Sequence, residues 1–282
     1  MSGTLFVVAT PIGNLEDISA RAIRVLREAS LIAAEDTRRT AHLLTRYAIT
    51  TPTTSLHEHN EDKKGAALIE RLKSGSSIAL VSDAGTPTVS DPGARLIRSA
   101  IDAGVRIEPI PGPSAALAAL AASGIAGDRF VFLGFPPTRS KDRAQWLEQL
   151  QKSNMTAVFF ESPHRIKPTL VDVERSVGDC NVCVARELTK AHEELVRGPI
   201  SGVSKAISAP RGEYTVVVDL ANRPKTQPIS APSEQDLAHE FGELTYKHQK
   251  SRRAAIAALA RKYSQSARDV YAAIERAKKS GD

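Results

Sequence analysis

Five short apolar runs, Leu5 to Ala9, Leu31 to Ala34, Thr53 to Leu56, Ser77 to Val81 and Val105 to Ile110, alternate with four segments of helical pattern. Those segments are Ile18 to Ala29, Thr37 to about Tyr47, Glu61 to Lys73 and Pro92 to Ala103. Parallel neighbours need a crossover of about a dozen residues or more, and a helix is the usual one. The alternation therefore predicts a doubly wound, mainly parallel sheet, with any ligand at the carboxyl ends of its strands.

After Pro111-Gly112-Pro113 and a small-residue helix, Ser114 to Ala122, the texture changes. Strand-like runs follow at Phe130 to Gly134, Ala157 to Glu161, Val182 to Glu187, Glu194 to Arg197 and Tyr214 to Leu220. Helical patterns at Lys141 to Lys152 and Pro163 to Val177 separate the earlier ones, whereas the later ones are closely spaced. That spacing predicts a second α/β domain with a mixed sheet. Prolines 224, 228 and 232 fall in a stretch without period, which suits a linker. Beyond it, Glu234 to Lys247, Arg252 to Lys262 and Ser266 to Lys279 have helical composition, with Ser251 and Ser264 or Ser266 as N-caps. The expected fold class is thus α/β, with domains over 1–112 and 113–221, a linker over 222–232 and a small all-helical domain over 233–282.

The 282 residues, 41% hydrophobic and 25% charged, are ordinary globular composition and enough for two or three modest domains. The longest apolar stretches, such as Ala115 to Ala122, fall far short of the roughly 20 residues that span a bilayer. A soluble cytoplasmic protein with no membrane partner is expected. Cys180 and Cys183 form a lone C-x-x-C in an apolar run; on a strand, residues three apart face opposite ways, so structural burial is expected and no metal. A net charge of +6 favours a polyanionic partner without requiring one. Between Lys247 and Lys262 lie six Lys or Arg and no Asp or Glu, either a solvated helix face or a phosphate-contacting surface that includes Lys250, Arg252 and Arg253.

Four segments at the carboxyl ends of the expected strands break the core pattern: Thr10 to Leu15, Ala34 to Arg38, Ser82 to Pro92 and Ile110 to Ala115. In the first, Gly13 allows a turn that residues with a Cβ resist. The third packs glycines, prolines and aspartates behind a buried strand, a pre-shaped loop that suits a ligand held by main chain. The fourth, Pro-Gly-Pro-Ser, leads straight into a helix whose N-terminus favours a polar group. No Gly-x-Gly occurs among the seventeen glycines, and neither a Walker A motif nor Gly-x-Ser-x-Gly is found. Dinucleotide oxidoreductase, NTPase and serine hydrolase therefore recede.

Taken together, Thr10-Pro-Ile-Gly-Asn-Leu-Glu-Asp-Ile18, Glu35-Asp-Thr-Arg38, Ala79-Leu-Val-Ser-Asp-Ala-Gly-Thr-Pro87 with Ser90-Asp-Pro-Gly93, and Pro111-Gly-Pro-Ser114 resemble the cytidine 2′-O-methyltransferases of bacterial small-subunit rRNA. These form a branch of the tetrapyrrole methylase superfamily. Phe160 to Arg165, Ala185 to Lys190 and Gly212-Glu213 extend the resemblance over essentially the whole chain. It implies a two-domain tetrapyrrole-methylase-like fold with S-adenosylmethionine in the cleft, S-adenosylhomocysteine as product, a helical C-terminal domain and a homodimer. Carried over, the cofactor set is Pro11, Asp83, Ala84, Gly85, Thr86, Pro87, Pro111, Gly112, Pro113 and Ser114, with Phe160 and Glu161 closing the other side. The implied partner is 16S rRNA within the small ribosomal subunit, and the 2′-hydroxyl separates it from DNA.

Attack of a ribose 2′-oxygen on an activated methyl group asks mainly for alignment and exclusion of water, with a carboxylate or imidazole to take the proton. Glu35, Asp36, His57 and Glu187 are the main candidates, with Glu58 and Asp83 beside them. Each has a plainer role: Asp36 as a helix cap, Glu187 as the partner of the arginine before it. His57-Glu-His-Asn60 reads as a substrate-facing loop rather than a metal site, since no third ligand is evident. Arg38, Arg39, His59 and Arg165 are candidates for RNA contact. A tetrapyrrole or other small-molecule methylase on the same fold, and a non-catalytic RNA-binding module, are the competing readings.

Overall fold

The computed structural model describes residues 2–207, 211–223, 233–247, 251–263 and 266–279. The chain divides into two compact units, Met1–Pro224 and Lys225–Asp282.

The first sheet is built from β1 (Thr4–Val8), β2 (Leu31–Ala34), β3 (Thr53–Ser55), β4 (Ile78–Val81) and β5 (Arg106–Ile110), in the order β3-β2-β4-β1-β5. All four pairings are parallel. The crossovers are α1 (Ala20–Glu28), α2 (Thr37–Arg46), α3 (Glu61–Lys73) and α4 (Ala94–Asp102). Because helices cover both faces, β2 (Leu-Ile-Ala-Ala) and β4 (Ile-Ala-Leu-Val) are buried throughout and read as continuous apolar runs. Successive residues take opposite faces: Ile32 and Ala34 pack with Val25 and Leu43, while Leu31 and Ala33 pack with Leu68 and Leu96. Two of these four crossovers start later than their pattern suggests, as does the helix expected from Pro163, which begins at Ile166. Asn14 Oδ1 accepts from the Glu16 N–H and closes a separate 3-10 turn, so α1 begins after the Ser19 cap. Gly93, at φ +117°, holds α4 back to Ala94.

The second sheet comprises β6 (Phe130–Phe132), β7 (Thr156–Glu161), β8 (Asn181–Arg186), β9 (Glu194–Pro199) and β10 (Tyr214–Val218), ordered β6-β7-β10-β8-β9. Its β6 and β7 run parallel, and its other neighbours antiparallel. One face packs on α6 (Ser140–Lys152), α7 (Ile166–Val177) and α8 (Ile200–Ala206) through Phe159, Leu170, Val203 and Val216. The short α8 was not anticipated by the sequence pattern; Ile200 and Val203, three apart and buried, are its only apolar anchors.

The opposite face packs on α5 (Ala115–Ser123), whose alanines let its backbone lie close to Val158, Cys183 and Val217. Ile12, from the loop after β1, joins this cluster together with Leu188. The expected boundary near 112 marks where the chain changes sheets, but the shared apolar seam makes both α/β halves one compact unit. Cys180 and Cys183 enter clusters on opposite faces of the second sheet, as buried apolar groups whose thiols burial pushes up, Cys180 to about 11.

The second unit has α9 (Glu234–Gly242), a π-helical turn Glu243–Lys247, α10 (Arg252–Lys262) and α11 (Ala267–Lys279) around Leu237, Phe241, Leu259, Val270 and Ile274. Ser233, Ser251 and Ser266 accept from the amides of Asp236, Ala254 and Asp269. Ser264, Lys250 and residues 224–232 of the expected linker lie outside the described residues. None of the helices, among the described residues, is long and apolar enough to cross a membrane.

Phe159 is fully buried, with Trp146 edge-on at 5.1 Å. Phe159→Ala is expected to cost about 3–5 kcal/mol. Chemical denaturation of the intact chain checks this, and a loss below about 1 kcal/mol contradicts the packing described.

Candidate active site

The loops after the three adjacent strands β4, β1 and β5 are cross-linked by main chain. Thr10 donates its N–H to the Gly85 carbonyl at 2.8 Å, and Gly85 returns an N–H to the Thr10 carbonyl at 3.0 Å. The buried Thr10 hydroxyl reaches the Ser82 carbonyl at 3.3 Å, and the Thr86 hydroxyl the Pro113 carbonyl, also at 3.3 Å. Gly85, at φ +76°, supplies the left-handed backbone this bridge needs.

The second half closes against this edge. A Cβ on Gly13 would stand 2.7 Å from the Leu188 carbonyl oxygen, and the neighbouring Asn14 N–H donates to the Thr189 hydroxyl at 3.0 Å. Gly13 is needed for this close approach and not, as its place in a turn suggested, for a positive φ. Thr88, Ser90, Glu187 and Thr189 all hold left-handed backbone, at φ +72°, +67°, +50° and +65°. Such conformations cost on the order of 1–2 kcal/mol each and persist where surrounding structure imposes them, often at functional sites.

Between the halves lies a cavity of about 320 Å³. One wall is small side chains and backbone: Ala84, Gly85, Thr86, Ser114 and Ala115, with Val89, Ser90 and Asp91 at its flank. The other wall is Phe135, Phe160, Leu188, Tyr214 and Thr215. Phe160 packs edge-on against Phe132 at 4.9 Å and carries Phe135 at 5.5 Å, and Phe135 is half exposed. A mainly apolar pocket above about 300 Å³ with a few polar groups fits a nucleoside-sized ligand such as S-adenosylmethionine.

Of the residues expected to hold the cofactor, Ala84, Gly85, Thr86, Ser114, Phe160 and Glu161 line this cavity. Pro11, Asp83, Pro87, Pro111, Gly112 and Pro113 do not line it; a Cβ on Gly112 would come to 3.0 Å from the Ala9 Cβ. The Glu161 carboxylate is buried and internally tied. It accepts from the Ser162 N–H at 2.7 Å and the Thr169 hydroxyl at 2.6 Å, and pairs with Arg165 at 3.4 Å.

The candidate bases fall outside the lining. Burial, with the Asp83 carboxylate nearby, pushes the Glu35 carboxyl up, although it accepts from the Asp83 N–H at 3.3 Å. Asp36 caps α2, and hydrogen bonds from the Arg38 side chain and N–H hold it down at about 2. His57 Nε2 lies 2.9 Å from Asn60 Nδ2, while its buried Nδ1 has no partner among the described residues; Glu58 and His59 are exposed. Glu187 pairs with Lys190 at 2.8 Å rather than with Arg186, and that hydrogen bond, chief among several causes, holds its carboxyl low. Among the described residues no three His, Cys, Asp or Glu come together as a metal site.

Of the candidate RNA contacts, Arg38 and Arg39 are well exposed, on Asp36 at 2.7 Å and on Asp83 at 3.3 Å. Arg165 instead turns inward, to Glu161 and the carbonyls of Pro136 and Pro137, and braces the loop that carries Phe135. Arg252 lies over Phe241 at 6.0 Å and pairs with Glu275 at 3.6 Å; Arg253 is exposed. Ile12, Phe135, Leu188, Tyr214 and Asp91 also line the cavity and were not expected there from the sequence. For Asp91 the signal was present, in the Ser90-Asp91-Pro92-Gly93 segment of the same loop.

Residues 4–204 match the tetrapyrrole (corrin/porphyrin) methylase family. Diphthine synthase superposes with a TM-score of 0.62 at 18% identity, covering 77% of this chain and 90% of that one. The cobalamin biosynthetic enzyme cobalt precorrin-4 methyltransferase gives 0.58 at 17%, covering 78% and 96%. The fold is that of the tetrapyrrole methylases, and a chain of this family is a methyltransferase that uses S-adenosylmethionine. Proteins named ribosomal RNA small subunit methyltransferase I are far nearer in sequence. The Halalkalibacterium halodurans protein is 49% identical over 80% of this chain and 78% of its own length, and that of Bacillus subtilis 49% over 78% and 76%. A Thermotoga maritima relative is 48% identical over 77% of this chain and 98% of its own length. The chain belongs to the ribosomal RNA small subunit methyltransferase I family.

Gly13→Ala forces the two halves apart at the cavity rim. It is expected to destabilise the first unit by about 1–3 kcal/mol, as overpacking does, and to weaken S-adenosylmethionine binding measured by calorimetry. Unchanged stability and affinity would contradict the close approach.

Proposed function

We propose that the chain transfers a methyl group from S-adenosylmethionine to the ribose 2′-hydroxyl of a cytidine in the decoding centre of 16S rRNA. The observation that carries the reading is 49% identity to ribosomal RNA small subunit methyltransferase I over about four fifths of the chain. The bound cofactor supplies an activated methyl group. The main-chain wall at Ala84, Gly85, Thr86 and Ser114 orients it.

A ribose inside folded RNA reaches such a cavity when its nucleotide is splayed out of the stack. The half-exposed Phe135, braced on Phe160, offers a face on which the freed base stacks. The exposed Arg38 and Arg39 meet phosphates beside the site, and the α10 arginines Arg252 and Arg253 give the second unit a basic surface of its own for RNA. The second unit is then an aid to RNA binding rather than part of the cofactor site. A relative is matched over 98% of its own length by only 77% of this chain. The substrate is taken to be rRNA in the small subunit and the working form a homodimer, for which the exposed Leu117 and Phe130 provide apolar surface.

Labelled S-adenosylmethionine incubated with the protein and small ribosomal subunits should place label on one cytidine of 16S rRNA, resistant to alkali at that nucleotide; cofactor binding with no label in RNA rejects the proposal. Phe135→Ala is expected to weaken RNA binding by about 1–3 kcal/mol, the worth of one stacked base, and to leave S-adenosylmethionine affinity unchanged. Removing residues from 224 onward should likewise weaken rRNA binding while the cofactor still binds, and unchanged affinity for rRNA contradicts the role given to the second unit.

A further inference from the structure

The side chains that line the cavity set the choice of base. No histidine, lysine or cysteine is among them, and the carboxylates are Asp91, Glu161 and Glu213. Glu161 is fully buried and occupied by Ser162, Thr169 and Arg165. Glu213 points largely to solvent and pairs with Lys190 at 2.9 Å. Asp91 lines the cavity with no cation at ion-pair distance among the described residues. It follows Thr88 and Ser90, both in left-handed backbone, and precedes Pro92-Gly93, so the chain around it is fixed in shape. Tyr214, a buried phenol on the opposite wall, is pushed further from ionisation by burial.

Resting on the rRNA 2′-O-methyltransferase reading above, we propose that Asp91 is the general base that takes the proton of the attacking ribose 2′-hydroxyl. A carboxylate oxygen of Asp91 gains that proton as the 2′-oxygen bonds to the methyl carbon and the electron pair of the breaking carbon–sulfur bond stays on sulfur. Asp91 passes from anion to neutral acid in the step that removes the positive charge from the donor, and later releases its proton to water.

The surroundings favour this role. Burial first, and then the Glu35 and Asp83 carboxylates, push the Asp91 carboxyl up to about 6, with the Ser82 hydroxyl partly opposing them. Glu35 faces it from the end of β2, and Asp83, itself paired with Arg39 of α2, from the loop after β4. A base matched in this way to neutral pH is both largely ionised and a competent proton acceptor. Since the base must be ionised, the rate should fall about tenfold per pH unit below about 6 and level off above it.

Asp91→Asn tests this in the full chain with small subunits. It is expected to leave S-adenosylmethionine affinity within about twofold, which also reports that the site has folded, and to lower kcat by about 10²–10⁴-fold. The break near pH 6 should vanish from the residual rate. Glu35→Gln, which removes a like charge outside the cavity lining, should move the break to lower pH. Titration of carbon-13-labelled aspartate carboxyls, with Asp91→Asn assigning the signal, should place Asp91 near 6 and needs no turnover. Asp91→Asn turning over at the wild-type rate, a break unmoved in both variants, or a carboxyl titrating near the ordinary value of about 4 overturns the assignment. Wild-type protein that labels no RNA counts instead against the rRNA reading, and the titration still decides whether Asp91 is poised as a base.

Discussion

The pair of hydrogen bonds between Thr10 and Gly85 fixes what the rest of the site depends on. Parallel strands end in loops that otherwise go separate ways, because each loop leads into its own crossover helix. Here β4 and β1 are neighbours, and the two-way exchange of amide and carbonyl continues their pairing past the sheet edge as an isolated antiparallel bridge. The Thr86 hydroxyl carries the link to the loop after β5. The Ser82 to Pro87 loop is therefore shaped by backbone groups on the neighbouring loops, and its exposed face is left for a ligand.

The two walls of the cavity do different things for this reason. The first-sheet wall is rigid main chain with small side chains, suited to a donor that arrives already activated. The second-sheet wall is large side chains, with Phe160 and Phe135 stepped outward from Phe132. Arg165 holds that step by binding Glu161 on one side and two proline carbonyls on the other. Asp91 on the cavity has the Glu35 and Asp83 carboxylates for neighbours, and their repulsion, added to burial, favours a proton on Asp91, as burial does on Glu35.

Much of the fold was legible because it repeats a simple period. The buried runs of β2 and β4, the amphipathic α1 and the three-helix unit all follow from local pattern. The loops of the site were legible as departures from that pattern: glycine and proline sit where the core period stops. What stayed hidden depends on contacts between distant segments. That α5 joins both sheets into one unit required Ile12 and Leu188 to meet it. Gly13 reads as a turn glycine until the carbonyl of Leu188 is seen beside it. Glu187 stands next to an arginine in sequence but takes a lysine as partner, and Arg165 looks like a surface cation but braces a loop. Asp91 was one aspartate among several until burial and its two carboxylate neighbours set it apart.

Hydrogen–deuterium exchange with and without S-adenosylmethionine shows whether the main-chain wall at the end of the first sheet receives that ligand. Exchange should slow most in the segments 84–91 and 113–118, beyond the general slowing that any ligand gives to α3 or α6 through global stabilisation. Binding that leaves those two segments no more protected than the helices would place the ligand elsewhere.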